Sequence, residues 1–346
     1  MLIAQPIKLS ANQFDHFYKG GNRIGKLRNG PGGPMRPEEW LGSTTTRFGS
    51  ATQGLTILDD GTTLRESVLT NPESWLGKTH VNRFGASIEL LVKLLDPDQR
   101  LPVHFHPKRN FAKEHLGVVH GKTEAWIVLE APEDAWVGIG FESNMNLATV
   151  KNLVEKEDSK GLLASLNKRS VKKGEAIFVP AGMPHAIGEG IFILELQEPT
   201  DFSILLEWEG FAVDGKKDGH LNLGFDLALQ ALDLKALAKQ DVEKLVVDST
   251  QDSAVMLSML PVQADPYFRA HLLNPKNATI EFAPGFSVLL ALEGSGIIST
   301  EKHNNFEIKK GDAYLIPFES GPWSLTGQIQ VLLARPPAPD SPMSSL

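Results

Sequence analysis

Two histidines one residue apart, His104 and His106, stand in the apolar run LPVHFH, and on a β-strand both imidazoles leave the same face. Lys122 and Glu124 repeat that spacing at the start of what reads as the next strand, 123–130, and His185 follows much later, at the end of GEAIFVPAGMPH. Three imidazoles and one carboxylate on separate strands make a metal-binding set. With nitrogen and oxygen donors and no thiolate, it suits one divalent metal, zinc foremost, with iron, manganese, nickel and cobalt also compatible, and it leaves coordination positions open for a substrate. A neutral metal-free reading, in which these are satisfied core or surface polar residues, has to explain four such donors falling in one order.

From Gly174 the chain reads Gly, five residues, Pro180, one residue, Gly182, two residues, His185. This resembles the second motif of the cupin superfamily, with Glu189 where that motif ends in Asn. The first cupin motif places its Glu a few residues after His-x-His, whereas here Glu124 comes well after His106. That insertion, with the flanking words His-Pro and Gly-Lys-Thr-Glu-x-Trp, resembles the type I mannose-6-phosphate isomerase family in its short bacterial form. The segment EEWLGS at 38–43 resembles the family's Gly-Glu-x-Trp-x-x-Ser, LLVKLLD at 90–96 its strand carrying a site lysine, and LELQEPTD at 194–201 its Glu-x-Gln-x-x-Ser-Asp. The resemblance covers most of 90–337, with the firm motifs between 101 and 201.

The resemblance implies a mostly β fold, a bicupin of two β-barrels (double-stranded β-helices) with helical insertions. It implies an aldose–ketose isomerase that moves a proton between C1 and C2 of an open-chain sugar or sugar phosphate. His104, His106, Glu124 and His185 would hold the metal, Lys122, Glu195 and Asp201 would act in catalysis, and Lys93 and Arg109 would bind substrate. Three positions depart from the family pattern: His104 replaces a Gln, Pro102 a Ser, and Leu205 an Arg that follows the Asp by four residues. Imidazole is a stronger ligand than a carboxamide, so the metal set is intact. Leucine, however, cannot donate to an oxyanion or a phosphate. A different sugar, another cupin metalloenzyme such as an iron oxygenase of a small polar molecule, and a non-catalytic metal-containing sugar-binding protein therefore stand as alternatives.

Composition frames these readings. The 346 residues are enough for about two domains, and 41% hydrophobic with 22% charged residues is ordinary for a globular chain. No apolar run is long enough to span a membrane and the N-terminus does not read as a secretory signal. The absence of cysteine fits a cytoplasmic protein. A formal charge of -8 argues against nucleic acid as a partner and leaves a small-molecule sugar or sugar phosphate, the latter needing a local basic pocket. Neither a phosphate loop nor a nucleophile elbow occurs, and no glycine fingerprint for a dinucleotide follows a strand. Oligomeric state is not legible.

The elements that position the set are strands 123–130, 136–141, 176–179 and 190–197. In the last, Phe192, Leu194 and Leu196 share one face and Ile193, Glu195 and Gln197 the other; a carboxylate alternating into a barrel has either a partner or a function. Leucines and valines at helical spacing predict a helical stretch over 146–167 broken at Gly161, and an amphipathic helical connector over 227–245. Strands resume over 255–260, 278–282, 287–292, 297–300, 313–316 and 329–334. VKKGEAIFVP at 171–180 matches IKKGDAYLIP at 308–317, which predicts two copies of one barrel. Five residues past the proline the first copy has His185 and the second Pro322, so the second barrel is expected to bind no metal; His303 in its polar stretch has no partner. The expected division is a metal-binding barrel over 1–212 with its glycine-rich N-terminal segment packed around it, a connector over 213–250, a degenerate barrel over 251–335 and a flexible tail over 336–346.

Overall fold

The alternation of faces in the strand Phe192–Gln197 sets the architecture, because both of its faces are covered. Phe192, Leu194 and Leu196 join a core shared with Val288, Leu290, Leu315, Leu332 and Ala334, while Ile193 joins a second core with Trp126, Ile139, Ile177 and Ile187. The strand thus separates the interior of one barrel from the back of another. In the computed structural model, which describes residues 4–250, 254–301 and 305–341, three antiparallel sheets carry these cores.

The first barrel is a pair of sheets. A six-stranded sheet runs in the order Val246–Asp248, Glu175–Val179, Glu124–Glu130, Phe192–Gln197, Leu91–Leu95, Glu38–Leu41, and a five-stranded sheet in the order Ile204–Leu205, His104–Phe105, His185–Ile187, Trp136–Phe141, Leu166–Ser170. The apolar face of the six-stranded sheet packs on an eight-stranded C-terminal sheet whose own interior is filled by Leu289, Ile298, Ile316, Trp323 and Leu333. A mostly β, cupin-type fold follows.

The repeated decapeptide folds the same way twice. Gly174 and Gly311 take positive φ of 89° and 85°, and the acid that follows each glycine accepts from a lysine amide, Glu175 from Lys172 at 3.0 Å and Asp312 from Lys309 at 3.1 Å. Pro322 immediately precedes the strand Trp323–Arg335, as His185 begins its own short strand. His303 lies outside the described residues.

Several expected elements differ. The helical stretch after 146 is two helices, Leu147–Glu155 and Ser159–Ala164, capped by Asn146 and Asp158. The break falls at Glu157, in the left-handed region with φ of 51°, and Gly161 sits inside the second helix, where its amide donates to Asp158. Leu166–Ser170 is strand, not helix. The 227–245 connector is not one helix: short turns Phe225–Ala228, Leu229–Ala231 and Lys239–Glu243 flank an extended piece. There the amides of Asp233, Ala236 and Leu237 bond to Gly182, Asn144 and Phe141. Two barrel carbonyls and the Asn144 side-chain oxygen take the hydrogen bonds that the leucine pattern would have spent on a helix. In the C-terminal half the two strands expected over 287–300 are one, Ser287–Thr300, bulged near Ala291, and Arg269–Leu273 and Phe306–Lys309 are further strands.

The expected boundaries are also crossed. Ile7–Lys8 pairs with the C-terminal strand Ala313–Ile316, so the N-terminal segment serves the second barrel as well as the first. Val246–Asp248, placed in the connector by sequence, is the outer strand of the first barrel's sheet. The described part of the tail is tied down, since Arg83 donates to the carbonyls of Pro339 and Ser341 and Arg269 to that of Pro336 at 3.0 Å. No helix among the described residues is long and apolar enough to cross a membrane.

Candidate metal centre

His104 and His185 are direct cross-strand partners, so both imidazoles leave the inner face of the five-stranded sheet. His106 lies just past the end of the same short strand, and Glu124 projects from the opposing sheet, where it pairs with Gln197. All four are buried, His185 completely. The ligand nitrogens of His104, His106 and His185 lie within 4.8 Å of one another. Nε2 of His104 is 3.0 Å from Nε2 of His185, and the Glu124 oxygens are 3.0 Å from Nε2 of His106 and 3.2 Å from Nε2 of His185.

The outer nitrogens fix the chemistry of the inner ones. Nδ1 of His104 donates to the Pro102 carbonyl at 2.8 Å, Nδ1 of His106 to Phe202 at 2.9 Å, and Nδ1 of His185 to Met183 at 2.9 Å. Each ring therefore turns a lone pair on Nε2 toward the others, the orientation that protein carbonyls impose on metal-ligating histidines. Burial, followed by the neighbouring imidazoles, holds the His104 pKa well below the ordinary value. Burial and the Lys122 ammonium hold that of His106 at about 3. Burial alone would raise the Glu124 pKa, but Lys122 and the imidazoles bring it well below the usual carboxylate range. The Nε2 atoms of the three rings and the Glu124 carboxylate thus face one point at contact distance. A cation is the group that makes this arrangement attractive, and the donors suit zinc or another first-row divalent ion, whose ligands sit about 2.0–2.2 Å from the metal. Trp126 orients the carboxylate, its Nε1 donating to Glu124 at 3.0 Å.

A second polar group lies beside the first on the inner face of the six-stranded sheet. Lys93 and Glu195 are cross-strand partners. The Lys93 ammonium is 2.9 Å from Asp201, 3.4 Å from Glu38 and 4.0 Å from Glu195, and it rests 4.4 Å above the Trp40 ring. Burial would lower the Lys93 pKa, but Asp201, Glu38 and Glu195 raise it above the ordinary value, so the ammonium is permanent. Asp201 is correspondingly lowered by Lys93 despite its burial. Glu195 goes the other way: burial first, then the Glu124 charge, push its pKa up to about 8. Lys122 stands between the two groups, 3.1 Å from Glu124 and 3.1 Å from Nε2 of His106.

One cleft is lined by His104, Lys122, Glu124, Lys93, Glu195 and Asp201 together with Leu205, the cross-strand neighbour of His104. The remaining candidate, Arg109, is elsewhere. Its Nε is 2.5 Å from Glu198 and its guanidinium lies over the Tyr267 ring at 5.0 Å, so it ties the helix Arg109–His115 to the back of the barrel. Sequence reasoning gave His16 no role and did not single out Tyr18 or Arg47, yet all three line the cleft with Glu38. Glu38 accepts from Tyr18 at 2.7 Å and Trp40 at 2.8 Å, and its pKa is lowered by His16 and Lys93 against the effect of burial. His16, Tyr18 and Arg47 come from irregular N-terminal segments, where no period betrays which side chains turn inward. The only available signal was the short EEWLGS word.

Residues 261–336 match the family model described as mannose-6-phosphate isomerase, cupin domain. The chain is 28% identical over 255 residues to mannose-6-phosphate isomerase ManA of Bacillus subtilis, covering 72% of this chain and 76% of that protein. It is 26% identical over 346 residues to the mannose-6-phosphate isomerase of Streptococcus mutans, covering 96% and 99%. Among solved structures, the mannose 6-phosphate isomerase of Bacillus subtilis superposes with a TM-score of 0.75 at 21% identity, over 95% of this chain and 99% of the other. A putative mannosephosphate isomerase from Archaeoglobus fulgidus gives 0.73 at 17%, over 96% and 98%; these two likenesses are of fold.

Proposed function

We propose that this chain, a member of the type I mannose-6-phosphate isomerase-like cupins, is a metal-dependent isomerase that interconverts an aldose and a ketose, with a sugar phosphate as the first substrate to test. The observation that carries this reading is the meeting of two charge systems in one cleft. A metal-ready set of His104, His106, Glu124 and His185 adjoins an acid–base set of Glu195, Lys93, Asp201 and Lys122.

His104, His106, Glu124 and His185 would hold a divalent ion, which would supply Lewis-acid polarisation of a bound open-chain sugar. The chain's own groups then divide the remaining work. Glu195 is the group that exchanges a proton near neutrality, since burial and Glu124 hold its pKa at about 8 and an added divalent charge would draw it down toward the working range. As a carboxylate it takes the proton from C2 and returns it at C1, while the hydroxyl proton of O2 passes to O1, so that the carbonyl moves from C1 to C2. Lys93, fixed by Asp201 and Glu38, and Lys122, fixed by Glu124, hold ammonium donors toward the sugar oxygens. Because these donors are already oriented, little reorganisation is needed as charge develops.

Purified, metal-loaded protein assayed with mannose 6-phosphate and a panel of free aldoses and ketoses tests the proposal. Interconversion with incorporation of solvent deuterium at C1 or C2 is expected, and silence on every sugar would sink it. An altered substrate is favoured by one specific feature, Leu205, which stands beside His104 across the strand, 5% exposed, where the family pattern has Arg. Losing a charge-assisted contact of about 1.5–3 kcal/mol slows catalysis by roughly tenfold to a hundredfold or more if the contact acts in the transition state.

A further inference from the structure

The decapeptide repeat brings two equivalent lysines to one place. Lys173 and Lys310 each precede the turn glycine of their copy, and both stand on the rim of a cavity of about 730 Å³ between the barrels. The first barrel supplies Ile127, Leu129 and Phe192 to its wall, and the second Leu272, Leu292 and Leu332. Ile127 and Leu129 leave the opposite face of their strand from Glu124, and Phe192 the opposite face from Glu195. The sheet therefore separates this cavity from the metal cleft, and the two have no lining residue in common among the described residues.

Charge collects at the rim. The helix Asn22–Arg28 meets the second copy's turn here, where Arg28 donates to the Gly311 carbonyl, and this puts Lys26 on the same rim as Lys310. Both lysines are exposed, and neither ammonium has a carboxylate within ion-pair distance among the described residues. Lys173 is 3.7 Å from Glu293 across the junction. Arg23 is held by Asp96 and, through Nη1, by the Gly190 carbonyl at 2.7 Å, and its Nη2 is buried with no hydrogen-bond partner among the described residues. Its guanidinium carbon lies 5.5 Å from the centre of the Phe192 ring, where the rim meets the apolar wall. Among the described residues the acids around the opening are Glu130 and Glu293, against Arg23, Lys26, Lys173 and Lys310, in a chain whose net charge is -8. Such a rim attracts an anion against the field of the rest of the molecule, and burying the leucines and Phe192 under an apolar body is favourable. The volume falls within the range of small-molecule sites, which favour domain junctions with an apolar wall and few polar groups.

We propose that this junction is a second ligand site and that it takes an amphipathic anion. The apolar chain or ring of that molecule packs on Phe192, Leu292 and Leu332, and its anionic head lies among Lys26, Lys310 and Arg23. The site stands apart from the isomerase reading, since no residue of the metal cleft takes part in it. A neutral molecule would forgo the charge-assisted contacts, and a small inorganic anion would leave the apolar wall uncovered.

Fluorescence titration of the full chain with anilinonaphthalene sulfonate, an apolar ring system bearing an anionic group, tests the site, followed by displacement with octanoate, octylamine and octanol. A single probe molecule per chain is expected, and octanoate should displace it at roughly tenfold to a hundredfold lower concentration than the amine or the alcohol, the value of a charge-assisted contact. Lys26→Gln with Lys310→Gln should weaken octanoate by about tenfold or more and leave octanol within about threefold, at unchanged metal content and melting temperature. Leu292→Trp, which fills the space against the apolar wall, should weaken octanoate and octanol together. Absence of probe binding, displacement that does not distinguish the acid from the amine and the alcohol, or octanoate affinity that stays within about threefold in the folded lysine pair would overturn the proposal. So would octanoate binding that the lysine pair loses but a folded Leu292→Trp keeps, since that marks surface charge alone. Both lysines are exposed, so their variant keeps the test decisive should Leu292→Trp not fold.

Discussion

Three backbone carbonyls, from Pro102, Phe202 and Met183, decide which nitrogen each metal-site histidine offers. Since the donors converge only as a set, removing one should cost orders of magnitude in metal affinity. His185→Ala is expected to be folded but metal-poor by elemental analysis, and full occupancy in that variant would remove His185 from the ligand set. Glu195 gives a second residue-scale prediction, in the metal-free protein. Its folded pKa of about 8 lies above the ordinary carboxylate value of 4.5, so between those two the native state binds the proton and the unfolded state does not. Its contribution to stability is then present below the lower value and lost as pH rises through the upper one. Denaturation of the stripped wild type and of Glu195→Gln from pH 5 to 9 should show the stability advantage of the variant growing with pH; a difference that is flat across that range would contradict the burial argument. At this scale the grouping of His104, His106, Glu124 and His185 beside Lys122, Glu195 and Asp201 was legible, because short words and period-2 spacing carry these residues. His16 and Arg47 were not, because loops turn side chains inward without a repeating signal.

Strands were easier to read than the pieces between them. The decapeptide repeat, read as two copies of one barrel, folds into two matching turns, each with a glycine at positive φ. The turns differ in surroundings, however, and that difference is testable. A Cβ at Gly311 would stand 1.8 Å from the Leu27 carbonyl, whereas at Gly174 the nearest atom is a Thr250 methyl at 3.0 Å. Gly174→Ala should therefore cost about 1–2 kcal/mol, the left-handed penalty alone, and Gly311→Ala clearly more, since backbone must move. Urea midpoints that rank the two in the opposite order would refute this. The 227–245 segment shows why the helical reading failed: leucines at helical spacing report a buried face, but cannot report that Gly182, Asn144 and Phe141 already claim the backbone amides. Likewise, nothing local in Ile7–Lys8 could reveal a strand partner more than three hundred positions away.

For the molecule as a whole, the C-terminal barrel backs the catalytic one. Its apolar face covers the outer side of the very sheet that carries Lys93, Glu124 and Glu195. A buried arginine fastens the two halves: Arg28 is 2.9 Å from Glu39 on the first barrel's outer strand, donates to the Leu9 carbonyl at 3.1 Å, and donates to Gly311 in the second barrel's turn. Arg28→Met would leave Glu39 buried and unpaired, at a cost of roughly 3–5 kcal/mol, while Arg28→Met with Glu39→Gln should recover much of it; a single variant as stable as the wild type in chemical denaturation would deny the fastening. The central claim is that the metal-ready set and the acid–base set form one isomerase site, and the direct measurement is mannose 6-phosphate isomerisation before chelation, after it, and after zinc or another divalent ion is returned. The expected result is turnover that vanishes in the stripped, still folded protein and returns as one ion binds per chain. Turnover that survives complete metal removal, or that never appears in the fully loaded protein with any aldose or ketose, would contradict the account.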